Sequence, residues 1–219
     1  MTDSITIKIL QEQFLLLADR ALYWPSEKAL IIADLHLGKA QTFQKEGIAV
    51  PLGVMEEDLQ RLSHMVTTHK VNQLIVLGDF THHPSGLTSQ VGSTLTAWLS
   101  HHSNVHVRVI LGNHDRASRR LLSRFNLDVV ENIVQLGPLS MAHDHTEHNH
   151  KEHAFILCGH THPVIKVPQS TADIVPVFAV YKHYAILPAF SLFTGGYRIK
   201  VEHTKQVYAL AEKQIVQVK

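Results

Sequence analysis

Acidic, histidine and asparagine side chains of the kinds that bind metal ions occur in five short segments of this chain. The segments are Asp34-Leu35-His36, Gly78-Asp79, Gly112-Asn113-His114-Asp115, His143-Asp144-His145 and Gly159-His160-Thr161-His162. Four of them directly follow apolar runs of strand character, which are Ala29 to Ala33, Leu74 to Leu77, Val105 to Leu111 and Phe155 to Cys158. Ligands that leave the ends of parallel strands can converge on one crevice. The sequence therefore predicts a crevice that holds a pair of divalent metal ions.

In the first two segments, the local backbone favours this convergence. Asp34 and His36 lie two residues apart after a predicted strand, so an extended backbone points both side chains the same way. Gly78 has no side chain and lets the backbone turn tightly just before Asp79. For Asp79 taken alone, a turn or helix-cap aspartate is an equal alternative to a metal ligand.

The third segment is the most specific of the five. Asn113 supplies a neutral oxygen, which suits an ion that also shares a bridging carboxylate. His114 follows it, and a histidine with an ordinary pKa of about 6.5 exchanges protons near neutral pH. Asp115 can orient or charge-pair that imidazole. This combination indicates a metal ligand beside a proton-transfer group.

Two further sets of basic side chains lie in or near these segments. His160 and His162 are two residues apart at a predicted strand end, where one loop can supply an imidazole to each of two ions. Arg116, Arg119 and Arg120 follow the asparagine-histidine segment and would share a face if helical. They could hold a phosphate backbone, although a solvated helix face is the favoured interpretation.

Strands and helices alternate in the first half of the chain, and strands dominate the second. Strands are predicted over Ile5 to Ile9, Phe14 to Leu17 and Ala29 to Ala33, with Tyr23-Trp24-Pro25 as a turn. Helices are predicted over Leu52 to His69 and Thr88 to Ser100. After residue 123, short β runs, among them 129 to 134, suggest a second sheet packed on the first. The alternation favours a parallel core.

The length of 219 residues predicts one domain over residues 1–219, and the composition is that of a globular protein. Hydrophobic residues make up 45% of the 219 and charged residues 18%, and the net charge of +1 argues neither for nor against a nucleic-acid partner. The single cysteine, Cys158, excludes an internal disulfide. We see neither a signal peptide nor an apolar run of roughly 20 residues that could span a bilayer. A cytoplasmic protein without a membrane partner is the expectation.

In their order, the five segments resemble the signature of the calcineurin-like metallophosphoesterases, D-x-H, GD, GNH[DE], a lone H and GHxH. This likeness covers roughly residues 28 to 165. The chain is also similar to PdeM, a bacterial group described as ligase-associated DNA-damage-response endonucleases. The stretches that carry this closer likeness are Ala33-Asp34-Leu35-His36-Leu37-Gly38-Lys39, Gly47-Ile48-Ala49-Val50-Pro51, Leu187-Pro188-Ala189-Phe190-Ser191 and Phe193-Thr194-Gly195-Gly196.

The resemblance implies a fold and a set of ligands. The fold would be an α/β, four-layer α/β/β/α sandwich with two β-sheets face to face and helices outside. One ion would be bound by Asp34, His36, Asp79 and His162. The other would be bound by Asp79, Asn113, His143 and His160. Asp79 would bridge the two ions, and His114 and Asp115 would be the catalytic pair.

The implied activity is that of a dinuclear-metal-dependent phosphodiesterase, a nuclease linked to DNA repair that uses metal-activated hydroxide. The alternative is a phosphodiesterase or phosphatase acting on a cyclic nucleotide or another small phosphoester. A non-catalytic scaffold is disfavoured because every ligand and His114 are present. Manganese is the expected metal, with iron, zinc or magnesium as alternatives. The partners would be DNA or another phosphodiester and, by resemblance, repair ligases and helicases.

The family pattern places the lone histidine at a strand end, so His143 is preferred to His145 as the ligand. The rest of this histidine-rich segment is interpreted as a polar loop, with a metal-gathering or pH-sensitive lid as the alternative; its histidines are His145, His148, His150 and His153. His82 and His83 fit an exposed loop as well as they fit contact with substrate.

Overall fold

Two β-sheets lie face to face, and α-helices cover the outer face of the first sheet. The computed structural model describes residues 3–51, 53–148, 155–166, 174–211 and 214–219. The α-helices in these ranges are α1 (Lys39–Lys45), α2 (Val54–Thr68), α3 (Ser89–His101) and α4 (Arg119–Leu122). None of the described helices is both long enough and apolar enough to cross a membrane.

The first sheet has its strands in chain order, and its second half is parallel. Its strands are β1 (Ser4–Ile9), β2 (Glu12–Leu17), β3 (Ala21–Trp24), β4 (Ala29–Ile32), β5 (Gln73–Leu77), β6 (His106–Ile110) and β7 (Asp128–Val130). Neighbouring strands are antiparallel from β1 through β4 and parallel from β4 through β7. Helix α2 connects β4 to β5 and α3 connects β5 to β6, so the carboxyl ends of these three strands lie side by side.

The second sheet brings two more site segments to a common edge. Its strands are β8 (Val134–Leu136), β9 (Leu139–Met141), β10 (Ile156–Cys158), β11 (Pro163–Ile165), β12 (Val175–Val180), β13 (Tyr184–Ile186), β14 (Tyr197–Arg198), β15 (Gln206–Ala211) and β16 (Gln214–Gln217). Strand β10 is parallel to both β9 and β13. The loops after β9 and β10 therefore leave the sheet in the same direction.

The first sheet is buried on both faces, which explains the unbroken apolar runs of its central strands. In β4, Leu30 and Ile32 belong to the same hydrophobic cluster as Leu62 of α2. Ala29 and Ile31 point the other way, into the core between the sheets. Both cores form because side chains alternate along a strand.

The α/β class with two stacked sheets and outer helices is confirmed. On the outer face of the second sheet, a smaller cluster that includes Val177 and Val207 is packed against Tyr181, Ile199 and Val201. Val201 begins a 3-10 turn that ends at His203. Within the described ranges, the fourth layer of the expected sandwich thus consists of loops and short turns rather than α-helices.

Three local expectations change. The predicted turn at Tyr23-Trp24-Pro25 is wrong, because Tyr23 and Trp24 end β3 and the turn begins at Pro25. Burial of the Trp24 ring, whose centroid lies 5.1 Å from that of Phe14, keeps this residue in the sheet. The predicted run 129–134 is divided between β7 and β8, which belong to different sheets. Helix α1 was not predicted.

Candidate metal centre

The loops after β4 and β5 extend the parallel pairing of these strands. The backbone N–H of Asp34 donates to the carbonyl of Gly78 at 3.1 Å, and that of His36 donates to the carbonyl of Asp79 at 2.8 Å. Ser191 adds a long hydrogen bond of 3.4 Å to the carbonyl of Asp34. The two carboxylate-bearing loops are therefore fixed to each other by the backbone.

Left-handed backbone is concentrated in these motifs. Nine non-glycine residues of the described chain have positive φ, and five of them belong to the predicted site. These five are Asp34 (55°), His36 (50°), Asp79 (46°), His160 (67°) and His162 (48°). Residues with a Cβ atom rarely adopt this backbone conformation, and such backbone strain is often found at functional sites. The extended backbone expected from Asp34 to His36 is therefore wrong, and the clustering marks these residues as a candidate functional site.

Two motif glycines are required by close approach. Gly78 has φ of 80°, and a Cβ atom there would lie 2.0 Å from Nδ1 of His143. A Cβ atom on Gly112 would lie 2.2 Å from Oδ1 of Asp79. The missing side chains therefore make room for the imidazole and the carboxylate.

One group of candidate ligands comprises Asp34, His36, Asp79 and His162, whose ligand atoms all lie within 4.8 Å of one another. Nε2 of His162 is 3.2 Å from Oδ1 of Asp34 and 3.5 Å from Nε2 of His36. Asp34 is fully buried and Asp79 is 2% exposed. This group has the composition of a divalent cation site.

A second group comprises Asp79, His143 and His160. Nε2 of His143 lies 2.9 Å from both Oδ1 of Asn113 and Nδ1 of His160, and 3.6 Å from Oδ1 of Asp79. Asp79 therefore belongs to both groups.

The donors and acceptors of these groups fit bound cations. Nδ1 of His143 lies 3.1 Å from the carbonyl of Leu77, which can only accept, so this nitrogen carries the proton and Nε2 presents a lone pair. That lone pair faces the Asn113 oxygen, another acceptor. A shared cation would satisfy both acceptors.

The charges of the two groups lead to the same conclusion. Among the described residues, the groups within ion-pair distance of Asp34 and Asp79 are imidazoles. Burial raises the pKa of Asp79, and the neighbouring charge of Asp34 acts in the same direction. Burial also lowers the pKa of His36 to about 2, which keeps its imidazole in the neutral form that binds metals. Divalent cations would neutralise both carboxylates.

His114 lies at the open side of this cluster. Its Nδ1 donates to the carbonyl of His82 at 2.8 Å, and the two rings stack with centroids 4.8 Å apart. Its Nε2 is 4.0 Å from Oδ2 of Asp79, and 37% of the side chain is exposed. The hydrogen bond to His82 fixes the ring and leaves Nε2 available to a substrate.

Asp115 does not contact the imidazole of His114 in the way that the sequence suggested. Its fully buried carboxylate instead joins the loops after β5 and β6. It accepts hydrogen bonds of 2.7 to 3.0 Å from the backbone N–H groups of Phe80, Thr81 and Gly112 and from the Thr81 hydroxyl. Burial raises the pKa of Asp115, although these hydrogen bonds act in the opposite direction. We interpret Asp115 as a positioning residue.

The other singled-out side chains lie outside the two groups. His145 packs on the ring of Tyr184, with centroids 3.8 Å apart. Arg116 and Arg119 are exposed and pair with Glu147 and Glu131, in agreement with a solvated face. His150 and His153 lie outside the described residues.

Lys39, the first residue of α1, is a neighbour of the centre to which the sequence reasoning gave no role. It is electrostatically coupled to both Asp34 and Asp79. Its position three residues after His36, directly behind a predicted metal-binding loop, was the available signal.

Comparison with known families now decides the classification. The family model of the calcineurin-like phosphoesterases matches residues 28–152, more than half of the chain. The chain belongs to the calcineurin-like phosphoesterase family. It is therefore a metal-dependent phosphoesterase, and the family's divalent metal ions suit the acidic and imidazole groups described above.

Solved structures add a full-length relative. The crystal structure of the nuclease MPE from Pseudomonas putida is 31% identical, covers 98% of this chain and 100% of its own, and has a TM-score of 0.86. Two weaker matches are each 17% identical. AQ665 from Aquifex aeolicus, a protein of unknown function, covers 61% of this chain and 78% of its own, with a TM-score of 0.43. The phosphoesterase Yfce from E. coli covers 87% of this chain and 97% of its own, with a TM-score of 0.45. Likeness at this level carries no conclusion here. No curated protein matches the chain.

Proposed function

We propose that this protein is a dinuclear-metal phosphodiesterase that cleaves DNA. The observation that carries the proposal is that the Asp79 carboxylate belongs to two adjacent ligand groups, as expected of a ligand that bridges two ions. The full-length likeness to a nuclease supports a nucleic acid as the substrate, and the choice of DNA follows the resemblance to the ligase-associated group.

We assign the ligands as the motif order suggests. One ion is bound by Asp34, His36, Asp79 and His162. The other is bound by Asp79, Asn113, His143 and His160. Support comes from the distances within the two groups, including the 2.9 Å between Oδ1 of Asn113 and Nε2 of His143. Manganese is the proposed metal, although the oxygen and nitrogen ligands also suit iron, zinc or magnesium.

In this proposal, His114 is the group that handles protons. Divalent ions, when bound, supply Lewis acidity at the phosphate and lower the pKa of water. The bond from Nδ1 of His114 to His82 holds the ring, so that Nε2 can hydrogen-bond to a phosphate oxygen or protonate the leaving oxygen. Asp115 holds the loops that carry Asp79 and His114 in register.

From the resemblance alone, we also propose that the DNA substrate arises during repair, with a ligase and a helicase as candidate partners. Co-purification of a tagged protein with a ligase or helicase would support it, and recovery of neither would count against it.

The test of the activity is manganese-dependent hydrolysis of bis(p-nitrophenyl) phosphate beside linear single- and double-stranded DNA. Cleavage of the small diester and of DNA, both reduced in His114→Ala and more strongly for DNA, is the expected result. Cleavage of the small diester alone would replace the nuclease by an enzyme for a cyclic nucleotide or another small phosphoester. Elemental analysis of the same samples should give two metal equivalents per chain.

A further inference from the structure

Lys39 is a partly buried cation beside the metal centre whose ammonium group has no acidic partner among the described residues. Its Nζ donates to the hydroxyl of Thr194 at 3.2 Å and lies 5.8 Å from the ring centroid of Phe193. Burial lowers the pKa of the Lys39 ammonium, while Asp34 and Asp79 act in the opposite direction. A neutral hydroxyl and a ring compensate only partly for the hydration that the ammonium group loses on burial. This group is therefore placed to bind an anion.

The backbone holds Lys39 in a fixed position relative to the metal ligands. Its N–H donates to the carbonyl of His36 at 3.1 Å. Gly38 precedes it with φ of 78°, and a Cβ atom on Gly38 would lie 2.6 Å from the carbonyl oxygen of Gly86. The start of α1 is therefore tied both to the His36 loop and to the neighbouring turn.

A row of rings leads from the metal centre to Lys39. His82 stacks on His114 and packs edge-to-face against Phe43, with centroids 5.7 Å apart. Phe43 in turn contacts Phe193 at 5.9 Å. All four rings are partly exposed. We call Lys39, Phe43, His82, Phe193 and Thr194 the Lys39 rim.

We propose that the Lys39 rim binds the nucleotide next to the scissile phosphate, with Lys39 pairing with a phosphate oxygen and the Phe43–Phe193 pair contacting an unstacked base. The ligand class is single-stranded nucleic acid, because a base within a duplex cannot expose its face to these rings. Stacking on phenyl rings tolerates any base, so the rim recognises single strands without reading their sequence. This inference rests on the proposed nuclease function.

The first arm of the test removes the charge. Lys39→Gln and the matched control Lys8→Gln, which removes an exposed lysine of β1, are made in the His114→Ala protein loaded with manganese. The His114→Ala change slows cleavage while binding is measured by fluorescence anisotropy with a single-stranded dodecanucleotide. Lys39→Gln should weaken binding about tenfold, as expected for the loss of one charge-assisted hydrogen bond. Lys39→Arg should restore most of it.

The second arm tests stacking with two oligonucleotides of equal charge, one with bases and one with abasic residues in its central positions. Phe193→Leu should weaken binding of the base-containing strand about tenfold more than binding of the abasic strand. The control is Phe125→Leu, which truncates a partly exposed ring packed near α3. Thermal unfolding of each variant identifies losses caused by misfolding.

Several outcomes would overturn the inference. Equal affinities of Lys39→Gln and Lys8→Gln for the single strand would show that Lys39 does not contribute to binding. Equal effects of Phe193→Leu on binding of the two strands would show that Phe193 does not stack on a base. If the unsubstituted protein cleaves single-stranded DNA while both results occur, the rim is wrong and the nuclease stands. If it cleaves only bis(p-nitrophenyl) phosphate, the nuclease proposal fails and the rim fails with it.

Discussion

Two kinds of buried carboxylate lie in neighbouring loops of this molecule. Asp34 and Asp79 each accept a backbone N–H, from His160 and His114, and otherwise face imidazoles. Asp115 is as deeply buried, but it is surrounded by N–H and O–H donors. Burial alone therefore does not identify a metal ligand. What separates the two kinds is whether the protein itself supplies enough donors.

The substitution with the largest expected effect is Asp79→Asn. It removes a charge that both ligand groups share, so both ions should bind weakly. Because bound metals contribute several kcal/mol to catalysis, we expect turnover of bis(p-nitrophenyl) phosphate to fall by about 10³-fold or more. Elemental analysis measures occupancy, and Asp128→Asn is the control, since this aspartate pairs with Arg108 away from the centre. Two full metal equivalents in Asp79→Asn would contradict a bridging role.

The next effect in size concerns His114→Ala. The variant should retain its metal, because the proposed ligands are untouched, while turnover falls by about 10² to 10⁴-fold, as is typical of a lost acid-base group. The loss should be smaller on a diester with a good leaving group than on DNA, since protonation of the leaving oxygen then matters less. Parallel metal analysis and rate measurements on both substrates provide the check. Unchanged turnover on DNA would remove His114 from the mechanism.

The positions of the motifs could be predicted from the sequence, whereas several contacts within the site could not. Three motifs follow parallel neighbours of the first sheet and two follow parallel neighbours of the second, so convergence within each set could be predicted from strand character, as could helices α2 and α3. The partners of Asp115 could not, because Phe80 and Thr81 are more than thirty positions away in the chain. The contact of Lys39 with Thr194 spans 155 positions and depends on how the two sheets meet. Trp24 was misread because its burial between the sheets overrides the local turn signal.

A smaller and different effect is expected for Asp115→Asn. Its side-chain amide would point an NH₂ group at backbone N–H donors that the carboxylate now satisfies, and each buried donor left without an acceptor costs about 1–3 kcal/mol. We expect the free energy of unfolding to fall by roughly 2–4 kcal/mol. Metal affinity should decrease by about 10- to 100-fold, because the loops that carry Asp79 and His114 lose their common acceptor. Denaturant unfolding and metal titration measure the two effects separately.

A result in which Asp115→Asn abolishes turnover at full metal occupancy and with unchanged stability would reverse this assignment. Asp115 would then act on the substrate or on His114, as the sequence first suggested. Rates measured at saturating metal make the distinction, because a positioning residue affects mainly the stability and the affinity for metal.

The smallest effect is predicted for Thr81→Val, which tests how far the donors around Asp115 are redundant. The substitution keeps the shape of a fully buried side chain and removes one of the hydrogen bonds to the carboxylate, the 2.8 Å bond from the hydroxyl. The backbone N–H of Thr81 still donates to the same oxygen at 2.7 Å. We therefore expect a cost of about 1 kcal/mol and a decrease in Tm of about 2–4 °C. Turnover at saturating metal should stay within about twofold of the unsubstituted protein, because one lost bond leaves the loops joined. If Thr81→Val instead lost metal as Asp79→Asn is expected to, Asp115 and its donors would belong to the metal centre itself. The supply of donors would then not distinguish Asp115 from Asp34 and Asp79.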